Sequence, residues 1–250
     1  MDTTSTRPLA VVTGASSGIG RATALALARR GATVVAHGRD RAALDEVCVG
    51  TGGTAVVQDL AEPGAGRRLA ARVGAVDILV ANAGVGFAGD LSTMDEDLPA
   101  TMIAANLTAA VELTRALLPA MLERGTGSLV FVTSIAARMG VAGEAVYAAT
   151  KAGLDIFAES LRLELRGTGV RVGVLVPGVV ATAFFDRRGR PYGRGRPRPV
   201  PASRTAQAIV RIVQSGPAEA YVPRWLSLPV AVRAMAPGPY RWLAGRFGGS

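Results

Sequence analysis

Thr13-Gly14-Ala15-Ser16-Ser17-Gly18-Ile19-Gly20 follows a short apolar run, Leu9–Thr13, and opens an Ala- and Leu-rich helical pattern over 18–30. Strand, glycine turn and helix in that order suggest a binding loop. Glycines let the backbone turn tightly and approach a ligand closely. The helix N-terminus adds free N–H groups and a dipole that favours anions. The loop therefore reads as a pyrophosphate cradle, with Gly14, Ser16, Ser17, Gly18, Ile19 and Gly20 as its candidate contacts. Its spacing is Gly-x-x-x-Gly-x-Gly, not the commoner Gly-x-Gly-x-x-Gly.

Outward from this loop, strand-like and helix-like segments alternate. Strands are expected at Leu9–Thr13, 33–37, 54–58, 77–81, 127–133 and 170–176. Helices are expected at 18–30, 41–49, 63–73, 98–124 and 146–166, with a bend near Pro119. Such alternation predicts an α/β fold: a single-domain, Rossmann-type, doubly wound parallel sheet with helices on both faces, spanning residues 1–250. The strands read as continuous apolar runs, as expected when both faces are covered. The pattern runs to about Val176 without a linker or an internal repeat. Residues 183–203 are rich in Arg, Gly and Pro and read as a long loop. Residues 221–250 read as a C-terminal extension holding both tryptophans, Trp225 and Trp242.

The chain has 250 residues, 49 % apolar and 19 % charged, which suits an ordinary globular protein. A single cysteine, Cys48, excludes an intrachain disulfide and fits a reducing compartment. Residues 1–7 lack the apolar core of a signal peptide, and no apolar run reaches the length of a membrane span. A cytoplasmic location is expected. The net charge of +9 raises nucleic acid or anionic membrane as partners. However, Arg187, Arg188, Arg190, Arg194, Arg196 and Arg198 crowd one Gly/Pro-rich stretch, and no nucleic-acid-binding signature is present. His37 is the only histidine, so a Ser–His triad or a histidine metal cluster has little support and no metal is expected. Every basic residue is arginine except Lys151.

The glycine spacing resembles that of the short-chain dehydrogenase/reductase family, and the resemblance covers roughly residues 8–182 with motifs in matching order. Asn82-Ala83-Gly84 is similar to the family's Asn-Asn-Ala-Gly, with Ala81 replacing the first asparagine. Asp59-Leu60 resembles the family's adenine-contacting pair, and Pro177-Gly178 with Thr182 resembles the segment that lines the nicotinamide. Asn106, Ser134, Tyr147 and Lys151 match the catalytic Asn, Ser, Tyr and Lys in order and spacing. Four residues apart on a helix, Tyr147 and Lys151 share one face, which also accounts for the lone lysine.

The resemblance implies an oxidoreductase moving a hydride between nicotinamide and a carbonyl or secondary alcohol, most simply a ketone or aldehyde reductase. The alternative is a cofactor-binding sensor or interaction protein without turnover. Hydride delivery leaves negative charge on the substrate oxygen, so a proton must arrive there. Tyr147 would supply it in reduction and remove it in oxidation. An unperturbed tyrosine titrates near ~10, so an adjacent ammonium, Lys151, and the oxidised nicotinamide are both expected to lower it toward working pH. By resemblance Lys151 and Tyr147 also hold the cofactor ribose, and Asn106 positions a water that links Lys151 to solvent. Ser134 would hydrogen-bond the substrate oxygen.

The second strand ends Ala36-His37-Gly38-Arg39-Asp40. An NAD site places a carboxylate at the strand end, whereas a 2′-phosphate calls for arginine. Gly38 stands where that carboxylate would, and Arg39 follows, so NADP(H) is favoured over NAD(H). A register shift would instead bring Asp40 closer. The implied partners are a small-molecule carbonyl or alcohol substrate and a second copy, as homodimer or homotetramer, through helices matching 98–124 and 146–166. Residues 183–203 lie where the family carries its substrate lid. There Phe184, Phe185 and Tyr192 suit an apolar substrate, and the arginines suit an anionic one. The tail, with Trp225, Leu226, Leu228, Trp242, Leu243 and Phe247, could pack on the core, form a subunit interface or rest on a membrane surface.

Overall fold

Short β-branched runs separated by helices pair in parallel, because each crossover helix carries the chain back to the end of the sheet where the preceding strand began. The computed structural model describes residues 7–193, 197–214, 217–240 and 242. In chain order the elements are β1 (Leu9–Thr13), α1 (Gly18–Ala28), β2 (Thr33–Gly38), α2 (Arg41–Thr51), β3 (Thr54–Val57), α3 (Ala65–Val73) and β4 (Ile78–Ala81). Then come α4 (Leu98–Ile103), a π-helical turn (Ala104–Thr108), α5 (Ala109–Arg124), β5 (Gly127–Val132), α6 (Ile135–Met139), α7 (Ala145–Glu164) and β6 (Val170–Pro177). The chain continues with β7 (Val180–Ala181), α8 (Phe184–Arg187), β8 (Val200–Pro201), α9 (Ala202–Gln214), β9 (Glu219–Val222) and α10 (Ser227–Met235).

The main sheet has seven parallel strands in the order β3-β2-β1-β4-β5-β6-β9. Side chains alternate between its faces, and both faces are apolar. Ala10 and Val12 point into one core with Ala24 and Leu27 of α1, Leu44 of α2 and Ile209 of α9. Val11 points into the other, with Leu69 of α3, Leu113 and Leu117 of α5, and Leu154 and Ala158 of α7. The sheet is thus doubly wound, as the sequence pattern implies. Its order reverses between β1 and β4, where loops leave in opposite directions and open a crevice at the strands' carboxyl ends.

Three expectations are corrected. The βα alternation does not stop at Val176: α9 and β9 continue it and add the seventh strand. The 183–203 stretch is not wholly irregular, since it carries α8 and β8, and α9 begins inside it at Ala202. The 98–124 helix does change register, but at the π turn around Asn106, while α5 runs continuously through Pro119. Pro119 lacks an N–H and leaves the carbonyl one turn earlier without a helical donor, which a helix on the surface of the sheet tolerates.

Candidate active site

The glycine turn is held by its neighbours. Gly14 has φ +68°, and a Cβ there would sit 2.9 Å from the Ala83 Cα. A Cβ on Gly20 would lie 2.2 Å from the Gly14 carbonyl oxygen. Only glycine lets α1 start this close to the turn. Asn82 stitches the loop to β4: its Nδ2 donates to the carbonyls of Thr13 (2.9 Å) and Gly14 (3.4 Å). Thr13 Oγ1 accepts from the amides of Asn82 (2.9 Å) and Ala83 (3.0 Å). Ser17, the N-cap of α1, makes no side-chain cap, and the first turn carries no acidic residue. The amides of Gly18, Ile19 and Gly20 precede the first intrahelical donor, Arg21 N, which bonds the Ser17 carbonyl, so this end of α1 offers unspent donors to an anion. Ser16 sits across from Gly38, where a Cβ would meet its Oγ at 3.1 Å.

At the β2 end, Arg39 is exposed and its Nη1 lies 3.3 Å from Asp59 Oδ2. Asp59 also accepts from the Ala61 amide at 2.9 Å, and Leu60 is buried in the core beside it. Asp40 is the N-cap of α2, and its carboxylate accepts from the Ala43 amide at 3.1 Å. That carboxylate is therefore engaged in capping its helix, whereas Arg39 faces solvent at the strand end.

The remaining residues arrive on β5, α6 and α7. Ser134 lies two residues past β5 and caps α6, its Oγ accepting from the Ala136 amide at 3.1 Å. Tyr147, Thr150, Lys151, Leu154, Ala158 and Leu161 form the buried stripe of α7, so helical periodicity turns Tyr147 and Lys151 inward. Ser134 hydrogen-bonds the Tyr147 hydroxyl. Lys151 Nζ donates to the Val132 carbonyl at 2.9 Å. Asn106, in the π turn, accepts from Val85 N (2.7 Å) and donates to Val85 O (2.9 Å) and to Thr150 Oγ1 (3.0 Å). It thus ties the β4 exit to α7. A Cβ on Gly84 would lie 3.3 Å from both Asn106 Oδ1 and Lys151 Nζ, so glycine leaves the space between them open.

Burial shifts both titrating groups. It pushes the Tyr147 hydroxyl up to about 12; the hydrogen bond from Ser134 and the charge of Arg188 oppose this, and Glu144 adds to it. Burial pushes Lys151 down to about 8. The lowered phenol expected from the neighbouring ammonium is therefore not a property of the protein alone, where desolvation of the phenolate prevails.

Pro177 closes β6; the Gly178 amide donates to Val222 O (2.9 Å), and a Cβ on Gly18 would meet the Thr182 methyl at 3.0 Å. The glycine loop and the 177–182 segment are thus in contact. Two further groups were not singled out by sequence. Arg138 of α6 pairs with Asp155 of α7 and Glu219 of β9, fixing the helix that Ser134 caps. Glu144 pairs with Arg188 in a largely buried contact. Arg188 lies 4.5 Å above the Phe185 ring, and the Phe184 ring stands 5.5 Å from Tyr147. Arg187 donates to Ser17 Oγ at 2.7 Å. Arg194, Arg196, Leu243 and Phe247 lie outside the described residues. Among the described residues, no three or more His, Cys, Asp or Glu are grouped to hold a metal ion, and no helix is long and apolar enough to cross a membrane.

The chain is similar to known proteins over most of its length. The short chain dehydrogenase family profile matches residues 8–192. An uncharacterized oxidoreductase of Myxococcus xanthus is 38 % identical over 239 residues, covering 92 % of this chain and 93 % of that one. A 3-oxoacyl-(acyl-carrier-protein) reductase of Salmonella typhimurium is 34 % identical over 206 residues, covering 80 % of this chain and 84 % of that one. A solved short-chain dehydrogenase from Sphingobium yanoikuyae, in complex with NADPH, superposes with a TM-score of 0.80 at 28 % identity, covering 92 % of this chain and 96 % of that one.

Proposed function

The chain belongs to the short chain dehydrogenase family, and from that premise we propose that it is an NADP(H)-dependent reductase of ketones or aldehydes, reversibly a secondary-alcohol dehydrogenase. One observation carries the reading: Ser134, Tyr147 and Lys151 are buried side by side next to a glycine turn with unspent amides. When bound, the cofactor supplies or accepts the hydride at its nicotinamide ring. Gly14, Ser16, Ser17, Gly18, Ile19 and Gly20 would hold its pyrophosphate, Asp59 and Leu60 its adenine, and Asn82, Ala83, Gly84, Tyr147 and Lys151 the ribose side. Pro177, Gly178 and Thr182 would line the nicotinamide.

In this reading Ser134 donates to the substrate oxygen and Tyr147 delivers the proton to it. Lys151, still largely protonated near neutral pH, offsets the charge left on the phenolate. An oxidised nicotinamide beside Tyr147 would add a second positive charge, which opposes the upward push of burial. Asn106 keeps α7 in register with the β4 exit. Arg39 supports NADP(H) over NAD(H), because it can turn from Asp59 to a 2′-phosphate, whereas Asp40 is held by its helix. Residues 183–203 act as a lid whose Phe184 covers Tyr147. Self-association through α5 and α7 is supported by the exposed Leu122, Ile156 and Leu163.

Steady-state rates with ketones, aldehydes, quinones and acyl thioesters, each with NADPH and with NADH, test the proposal. NADPH consumption with at least one carbonyl class, at higher kcat/KM than with NADH, is expected. Equal kcat/KM for the two cofactors would remove the preference, and no binding of either would remove the reading.

A further inference from the structure

The positive charge of this chain is concentrated at one end. From Arg187 to Ser250 there are twelve arginines and one acidic residue, Glu219. The preceding 186 residues carry slightly more acidic than basic groups. In the final stretch, residues 220–250, Arg224, Arg233, Arg241 and Arg246 have no acidic residue among them.

The same stretch presents apolar side chains to solvent. Leu228, Val232 and Met235 fall at i, i+4 and i+7 of α10 and form one stripe. They are exposed by 66 %, 48 % and 79 %, and Trp225 and Trp242 by 50 % and 66 %. The segment is nonetheless anchored to the fold. Leu226 is buried against Gly178, and the Tyr240 hydroxyl donates to the Met139 carbonyl at 3.0 Å. An anchored helix with an outward apolar stripe, flanking tryptophans and only cationic charge matches what lies flat in a lipid headgroup region. A second copy is a poorer occupant, because apposed tails would bring arginines of like charge together.

We propose that the segment 224–242 is a peripheral docking surface for an anionic lipid bilayer. The stripe and Trp225 enter the acyl boundary, and Arg224 and Arg233 meet the lipid phosphates.

Both tryptophans of the chain lie in this segment, so intrinsic fluorescence reports on it directly. The experiment uses the full chain with vesicles of phosphatidylcholine alone and with a third phosphatidylglycerol. Anionic vesicles are expected to sediment the protein and blue-shift its tryptophan emission. Quenching by brominated acyl chains should accompany this, and partitioning should fall about tenfold or more when salt is raised. The triple variant Leu228→Ser, Val232→Ser, Met235→Ser changes exposed positions only, and should abolish the shift while leaving turnover in solution unchanged. Equal binding to uncharged vesicles would overturn the anionic assignment. A shift that depends on protein concentration, without vesicles, would assign the face to a second copy and overturn the proposal. The absence of any shift with anionic vesicles would overturn it as well.

Discussion

Burial is the largest influence on both Tyr147 and Lys151 and moves them in opposite directions: the phenol upward to about 12 and the ammonium downward to about 8. Each shift disfavours the charged form. Lys151 therefore loses its proton as pH rises through about 8. In the proposed mechanism kcat/KM for reduction falls through the same window, and Lys151→Arg, whose charge does not titrate, should show no such limb. A flat wild-type profile from pH 7 to 9.5 would contradict this. His37 offers a stability counterpart. Burial holds its pKa down to about 4, prevailing over the Gln58 backbone and the charge of Asp59, which favour the proton. The unfolded chain then binds the proton more readily between about 6.5 and 4, so stability is lost as pH falls through that window. Between pH 7 and 5 the loss from this residue is about 2 kcal/mol. Denaturant unfolding at the two pH values should show it in the wild type and not in His37→Leu. For Arg39→Ser, NADPH binding should weaken by about tenfold, the scale of one exposed charge-assisted contact, with NADH binding unchanged. Paired titrations of the two cofactors check this.

Among the elements, α8 is the shortest helix and the one pressed most directly on the reacting groups. Its seat is the Arg188–Glu144 pair, shielded from solvent on both sides. Removing one partner of such a pair leaves the other charge unmatched, at a cost of about 3–5 kcal/mol. A surface segment relieves that cost by opening locally before the sheet unfolds. Glu144→Gln should therefore speed tryptic cleavage at arginines within 187–198, with little change in the midpoint of global unfolding. Unchanged cleavage would show that the pair does not hold the segment. These elements also mark how far the sequence could be read. The α7 stripe was legible, because Tyr147 and Lys151 share the spacing of Leu154 and Ala158. α9 carried a usable signal in Ala206, Ile209 and Val213, masked by the Arg/Pro-rich stretch before it. β9 is four residues with a charged start, too short to stand out. The π turn was not legible, since an inserted residue leaves no compositional trace. Nor were the pairings of Asn106 with Val85 and Glu144 with Arg188, which join residues far apart in sequence.

On the scale of the whole molecule, the doubly wound sheet places four strand ends in one crevice. β1 brings the glycine turn, β4 Asn82, β5 Ser134 and β6 Pro177. Catalytic, cofactor and lid candidates are thus neighbours because of strand order and not because of sequence proximity. Net charge belongs to this scale too, set apart in the C-terminal quarter and away from the cores. The central claim is that the convergent site performs proton-coupled hydride transfer with Tyr147 as the proton donor. The most direct measurement compares wild type and Tyr147→Phe for NADPH binding and for NADPH oxidation with a carbonyl substrate. Binding should change by no more than about twofold while kcat falls by about 10²- to 10⁴-fold, the range expected for loss of a general acid. Turnover in Tyr147→Phe equal to wild type would contradict the account.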